Sequence, residues 1–313
     1  MNILITGACG YVGSSLTPYL LSQGHNIRAV DTEWFGNNLD PHPNLEFTKK
    51  DIRDLDETFF QNIESVIHLA NIANDPSVDL TQTLSWEVNC LATLELIEKS
   101  IKLGAKQFIF ASSGSVYGIK KELKVTEDLD LVPISTYNKT KMVAEKILLS
   151  YKDKIKVHCI RPATVCGISP RMRFDVSVNM LTLQALKTHK IKVLGGDQIR
   201  PNIHINDLIR VYDFFLTNTK IDSGPYNAGF ENFSIMKLAK IIAKKTNAKI
   251  EVVKSNDPRS YRQDSSKLIS LGFVKQYNVN NAIDDIIINF KNGNLIEDDS
   301  CYTVKWMRKN NIS

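Results

Sequence analysis

The sequence predicts an α/β protein built on a doubly wound parallel sheet, followed by a smaller α+β lobe. Three observations carry that expectation. Short apolar, β-rich runs alternate with helical stretches through the first half of the chain, the pattern of a parallel sheet covered on both faces. The first run, Ile3–Leu4–Ile5, leads into Gly7, Gly10 and Gly13, spaced Gly-x-x-Gly-x-x-Gly and followed by a helix-like stretch. The second run ends at Asp31.

Each element has a local reason. A strand that ends in glycines and opens a helix presents backbone N–H groups to an anion, and the missing side chains let a pyrophosphate come close. The first βα turn, with Tyr11 and Val12 inside it, is therefore read as a dinucleotide site on a Rossmann-type sheet. An acidic residue at the end of strand two can accept from both adenosine ribose hydroxyls and repels a 2′-phosphate, so Asp31 favours NAD over NADP; Arg28 precedes the strand end and is discounted. Further strands are expected at 45–48, 65–69, 107–111 and 157–160, with the clearest helices at 80–103 and 135–152. After Arg161 the regularity breaks, and from Asp222 the chain reads as α+β. The expected division is a nucleotide lobe of residues 1–170 and 200–221, and a substrate lobe of 171–199 and 222–313.

Composition limits the function classes. Apolar residues make up 43% and charged residues 23% of the 313 residues, ordinary for a soluble enzyme. The net charge of +5 is spread over scattered lysines, without the concentrated basic face that nucleic acid requires. Cys9, Cys90, Cys159, Cys166 and Cys301 lack metal-ligand spacing, so no metal site is expected and the thiols are read as reduced packing residues. A strand at the start leaves no room for a signal peptide. No apolar run approaches the ~20 residues of a membrane span. A cytoplasmic protein is the expectation.

The reacting groups stand in one short stretch. Tyr137 and Lys141 are four apart at the start of a predicted helix, and so share one face. A phenol titrates near ~10, but a neighbouring ammonium and an oxidised nicotinamide stabilise the phenolate. The pair thus suits a general base with its tuner, although an ordinary amphipathic helix carries the same string by chance. Upstream, the strand 107–111 ends in Ser112–Ser113–Gly114–Ser115, where Ser113 can orient a substrate hydroxyl towards Tyr137.

Together, Gly7, Gly10, Gly13, Asp31, Asp51–Ile52, His68–Leu69–Ala70, Asn89, Ser112–Ser113, Val116–Tyr117–Gly118 and Tyr137-x-x-x-Lys141 make the chain resemble an extended short-chain dehydrogenase/reductase. More narrowly, it resembles the NAD-dependent nucleotide-sugar epimerase/dehydratase family, nearly end to end. The resemblance implies that Asp51 and Ile52 frame the adenine. It places Leu69, Ala70, Asn71, Ser112 and Pro162 along the cofactor, with Asn89 as a support and His68 packed beneath. Lys141 would also bind the nicotinamide ribose. Asn179, Arg200 and Arg259 match positions that hold a nucleotide diphosphate, a task suited to the guanidinium fork. Ser115 and Thr164 fall on the sugar side, Thr164 where galactose epimerases carry an asparagine. Arg171 and Arg173 suit a phosphate, a substrate carboxylate or a brace between lobes.

Departures from the family narrow the reaction. Dehydratases carry an acidic pair directly after the hydroxyl residue, where this chain has Gly114 and Ser115; decarboxylases place a glutamate at the latter position. What remains needs one base and a hydride carrier. The leading expectation is an NAD-dependent nucleotide-sugar 4-epimerase acting through a 4-keto intermediate on a GDP-, UDP- or dTDP-linked sugar. The alternative is a C4 dehydrogenase or 4-keto reductase; a non-catalytic dinucleotide-binding protein is more remote, because Tyr137 and Lys141 are both present. The family's helical dimer interface implies a homodimer through 80–103 and 137–152.

Overall fold

The structure is a computed structural model that describes residues 1–254 and 260–312. Seven strands form the main sheet: β1 (Asn2–Thr6), β2 (Asn26–Asp31), β3 (Leu45–Lys49), β4 (Ser65–His68), β5 (Gln107–Ala111), β6 (Lys156–Pro162) and, far along the chain, β10 (Gly224–Ala228). They run β10-β6-β5-β4-β1-β2-β3, every neighbouring pair parallel. Between β6 and β10 come β7 (Thr164–Cys166), β8 (Lys190–Leu194) and β9 (Ile199–His204); β11 (Glu231–Ser234) and β12 (Lys249–Val253) follow. These form a three-stranded sheet β11-β9-β7 and a parallel pair β12-β8.

Burial explains the layering. Side chains alternate across a strand, so Ile3 and Ile5 face one core with the helices Gly13–Ser22 and Ile205–Thr217, while Leu4 faces another with Ala92–Lys102 and Thr136–Leu149. All three residues are fully buried, which is why β1 reads as a continuous apolar run rather than an alternating one. The second lobe has its own core, in which Val178, Leu181, Ile191, Leu238 and Ile283 meet. Because the sheet is parallel, Thr6, Asp31, His68, Ala111 and Pro162 all end on one rim. That rim is where ligands sit in such sheets.

The structure departs from the sequence reading in three places. Residues 224–228, assigned to the substrate lobe, are the edge strand of the main sheet, paired with β6 from Gly224↔His158 to Ala228↔Pro162. Conversely, β9 lies in the nucleotide-lobe span 200–221 but pairs with β7 and β11. The chain thus crosses between lobes more often than composition reveals. Second, the expected helix 80–103 is interrupted by a π-helical turn, Glu87–Leu91, between Gln82–Trp86 and Ala92–Lys102. Third, the C-terminal helix Thr303–Lys309 returns to the first lobe: Met307 is buried in its core and the indole N–H of Trp306 donates to the Trp34 carbonyl.

Candidate active site

A cavity of about 1050 Å³ opens on the rim of the main sheet and reaches between the lobes. Small-molecule pockets commonly occupy ~300–1,000 Å³, so this one lies at the top of that range.

Its first half is shaped by backbone. Gly7 has φ +75°, and a Cβ there would stand 2.5 Å from the Ala70 nitrogen. A Cβ on Gly13 would meet the Gly7 carbonyl oxygen at 2.2 Å. The turn therefore packs strand, helix and the loop after β4 against one another at distances that exclude any side chain. Both oxygens of Asp31 are aimed by backbone donors, Cys9 N–H at 2.9 Å and Glu33 N–H at 2.7 Å. Burial raises its pKa, opposed by those same bonds. The Asn71 side-chain carbonyl is buried on the cavity wall with no hydrogen-bond partner among the described residues, an acceptor left for a ligand. A dinucleotide fits these groups. Gly10, Tyr11, Val12, Asp51, Ile52, Leu69, Ala70, Ser112 and Pro162 also line the cavity.

At the centre stand Ser113, Tyr137 and Lys141. Ser135 caps the helix that carries Tyr137 and Lys141, accepting from the Asn138 N–H at 3.2 Å. Tyr137 is half-buried; burial pushes its phenol up to about 12, while Ser113 and then the charge of Arg173 work the other way. Ser113 Oγ lies 2.7 Å from Ser115 Oγ, which donates to Asn138 at 2.6 Å. Lys141 is 2% exposed, donates to the Ala111 carbonyl at 2.6 Å and lies over the Phe110 ring. Burial pushes its ammonium down to about 7. Burial thus resists a lone charge on either residue, and a phenolate–ammonium pair relieves both. His68, bonded to Thr6 and Thr93 and held near pKa 3 by burial, packs beneath as a neutral ring.

Two of the expected site residues, Asn89 and Asn179, stand behind the cavity wall. Asn89, on the π-helical turn, accepts from Ile72 N–H and donates to the Ile72 carbonyl and Thr140. It ties the loop after β4 to the Tyr137 helix and does not line the cavity. Asn179 is fully buried. Its amide bonds to Gly167, to the Tyr11 hydroxyl and to the Arg173 carbonyl, so it braces the lobe junction. Thr164 on β7 and Arg200 on β9 line the second half of the cavity. Arg259 lies outside the described residues.

Sequence reasoning missed the support below the reacting groups. Glu145, on the same helix, forms a buried ion pair with Arg161 of β6 and accepts from Ser112 at 2.8 Å. Removing one partner of such a pair costs ~3–5 kcal/mol. A signal existed: Tyr137, Lys141 and Glu145 recur every four residues, and an arginine inside an apolar strand needs a counter-ion. Also missed were the C-terminal residues Tyr302, Thr303 and Met307, which line the cavity beside Trp34 and Phe35; nothing local in the sequence announces that approach.

Comparison with known proteins agrees with this geometry. Residues 3–229 match the profile of the NAD dependent epimerase/dehydratase family. A putative UDP-glucose 4-epimerase of Methanocaldococcus jannaschii is 27% identical, the match covering 93% of this chain and 99% of that protein. An uncharacterized UDP-glucose epimerase of Bacillus subtilis, YtcB, is 30% identical over 77% of this chain and 81% of its own length. Among solved structures, UDP-glucuronic acid 4-epimerase from Bacillus cereus, in complex with UDP-glucuronic acid and NAD, superposes with a TM-score of 0.82. It is 28% identical, with 93% of this chain and 99% of that one covered.

Proposed function

The chain belongs to the NAD dependent epimerase/dehydratase family and its cofactor is NAD, and on that premise we propose that it is a 4-epimerase of a UDP-linked sugar. The observation that carries this reading is the make-up of the centre: one phenol, one ammonium and one orienting hydroxyl. Gly114 and Ser115, not acids, directly follow Ser113, and Ser115 is engaged with Asn138. Such a set serves proton transfer at one hydroxyl and little else.

Bound NAD supplies acceptance and return of the C4 hydride. Tyr137, as phenolate, takes the proton of the C4 hydroxyl while Ser113 holds that oxygen in line. Lys141 stabilises the phenolate, and the Ala111 carbonyl fixes where its ammonium lies. Return of the hydride to the opposite face of the 4-keto sugar, with the proton delivered from Tyr137, completes inversion. Thr164 and Arg200 form the wall available to the nucleotide sugar, and Arg259 joins them in this proposal. UDP is favoured over GDP and dTDP because the solved relative carries a UDP-sugar. Arg173 brings a cation near Tyr137, which suits a sugar bearing a carboxylate, so UDP-glucuronic acid belongs beside UDP-glucose as a substrate.

The proposal extends to a cytoplasmic homodimer. All five cysteines are unpaired, as in a reducing compartment, and no described helix is long and apolar enough to cross a membrane. Leu91, 57% exposed at the π-helical turn, marks the face expected to pair, and sedimentation equilibrium tests it.

Mass spectrometry and NMR of products from UDP-glucose, UDP-glucuronic acid and their GDP and dTDP counterparts test the reaction. An isomer of unchanged mass, inverted at C4, supports the epimerase. A product lacking two hydrogens, with bound NADH accumulating, replaces it with a C4 dehydrogenase.

A further inference from the structure

Two arginines stand two residues apart on the segment that joins the lobes, and their surroundings differ. Arg173 is answered by Asp175 at 2.7 Å. Arg171 has no carboxylate within ion-pair distance among the described residues, although it is only 5% exposed. One terminal nitrogen donates to Thr303 Oγ1 at 3.1 Å, and Nε has no hydrogen-bond partner among the described residues. An uncompensated buried guanidinium is costly, so its retention on a cavity wall calls for a reason.

The groups its segment touches supply one, because they include the glycine turn and the loop after β2. The Arg171 N–H donates to Ser14 Oγ at 3.2 Å, in the first turn of the helix after the glycines. Ser169 donates to the Tyr11 carbonyl at 2.7 Å, seating the same segment on the glycine turn. The guanidinium lies 4.0 Å from the centre of the Phe35 ring, in the loop after β2. Burial pushes its pKa down to about 10, which leaves it charged at neutral pH. We propose that Arg171 is a receptor for the diphosphate bridge of NAD, aimed by Phe35 on one side and by Thr303 of the C-terminal helix on the other.

The chemistry is complementary. The glycine turn and helix N-terminus offer a diphosphate only backbone dipoles, whereas two bridging phosphates carry full charge. A planar fork supplies that charge with paired donors. The C-terminal helix thereby becomes part of the cofactor site: Thr303 holds the fork and Trp306 fastens the helix to Trp34. This role concerns cofactor binding and stands whichever reaction the sugar undergoes.

The test uses NADH, ADP and UDP as probes, titrated calorimetrically into the full chain after its bound cofactor has been stripped. Arg171→Met is expected to weaken NADH and ADP alike by about 10- to 100-fold, the range of a charged hydrogen-bonding group, with UDP affinity unchanged. Arg171→Lys keeps the charge without the fork and is expected to restore part of the loss. Unchanged NADH and ADP affinities, with only thermal stability reduced, would make Arg171 a structural brace and overturn the proposal; so would a loss that falls on UDP. Should Arg171→Met not fold, Arg171→Lys decides alone: a weakening of NADH and ADP by about 3-fold or more sustains the receptor, and none overturns it.

Discussion

The two halves of the cavity are built by different means. On the cofactor side, position is set by backbone: glycines whose added Cβ would strike main-chain atoms, and a carboxylate aimed by two N–H groups. On the side proposed for the sugar it is set by side chains carried on a small sheet and a crossing segment, Thr164, Arg173 and Arg200 among them. Backbone geometry tolerates few substitutions, whereas side chains on a small sheet exchange readily. The first half can thus remain one site while the second is altered to take another sugar. Tyr137 and Lys141 sit where the halves meet.

Four experiments sharpen or break that contrast. The largest effect belongs to the junction. Tyr137→Phe is expected to lower kcat by about 10²- to 10⁴-fold, the usual worth of a positioned acid–base group, while NADH and UDP still bind as in the wild type. Equal losses in binding would show that the junction shapes one of the halves and does not merely join them. Next, Gly13→Ala forces a Cβ against the Gly7 carbonyl and the Ala8 backbone. Titration with NADH should show affinity down by roughly 100-fold, the scale of a lost helix-terminus diphosphate contact, with UDP binding retained. The reciprocal case is Arg200→Ala, for which calorimetry should record UDP weakened about 10-fold and NADH unaltered, in line with one charged contact.

The smallest effect separates the halves through acid. His68 and His158, both on strands of the main sheet, are held at about 3 and about 4 by burial. A histidine whose folded pKa lies below its unfolded ~6.5 leaves the unfolded state binding more protons. Stability is therefore full above about pH 6.5 and falls as pH drops towards 4, by about 1.4 kcal/mol per unit for each ring. His204 in the second lobe is lowered by burial too, but Asp285 and Asp207 act against the shift. Urea midpoints at pH 5 and 7 should accordingly fall less in a His68→Gln variant than in the wild type. Equal slopes would mean that the first lobe is not the acid-sensitive one.

The legibility of the chain follows the same division. The glycine turn, Asp31, Ser113 and the Tyr137–Lys141 pair were readable because each depends on residues a few positions apart: a turn that needs missing side chains, or a helix that repeats every 3.6 residues. The bonds of Asn179 were not legible, because its amide meets Gly167, Arg173 and, far away in the chain, Tyr11. The π-helical turn at Glu87–Leu91 escaped notice because the apolar spacing of 80–103 continues through it.

By itself, the sequence determined the α/β class, the parallel sheet, the dinucleotide turn and the face on which Tyr137 and Lys141 lie, all consequences of local sterics and periodicity. Tertiary structure alone decided that β10 closes the main sheet some sixty residues after β6. It also set Glu145 against Arg161 and brought the C-terminal helix back over Trp34 to meet Arg171. Those choices depend on which buried surfaces and charges find each other across long stretches of chain, and no window of neighbouring residues carries that information.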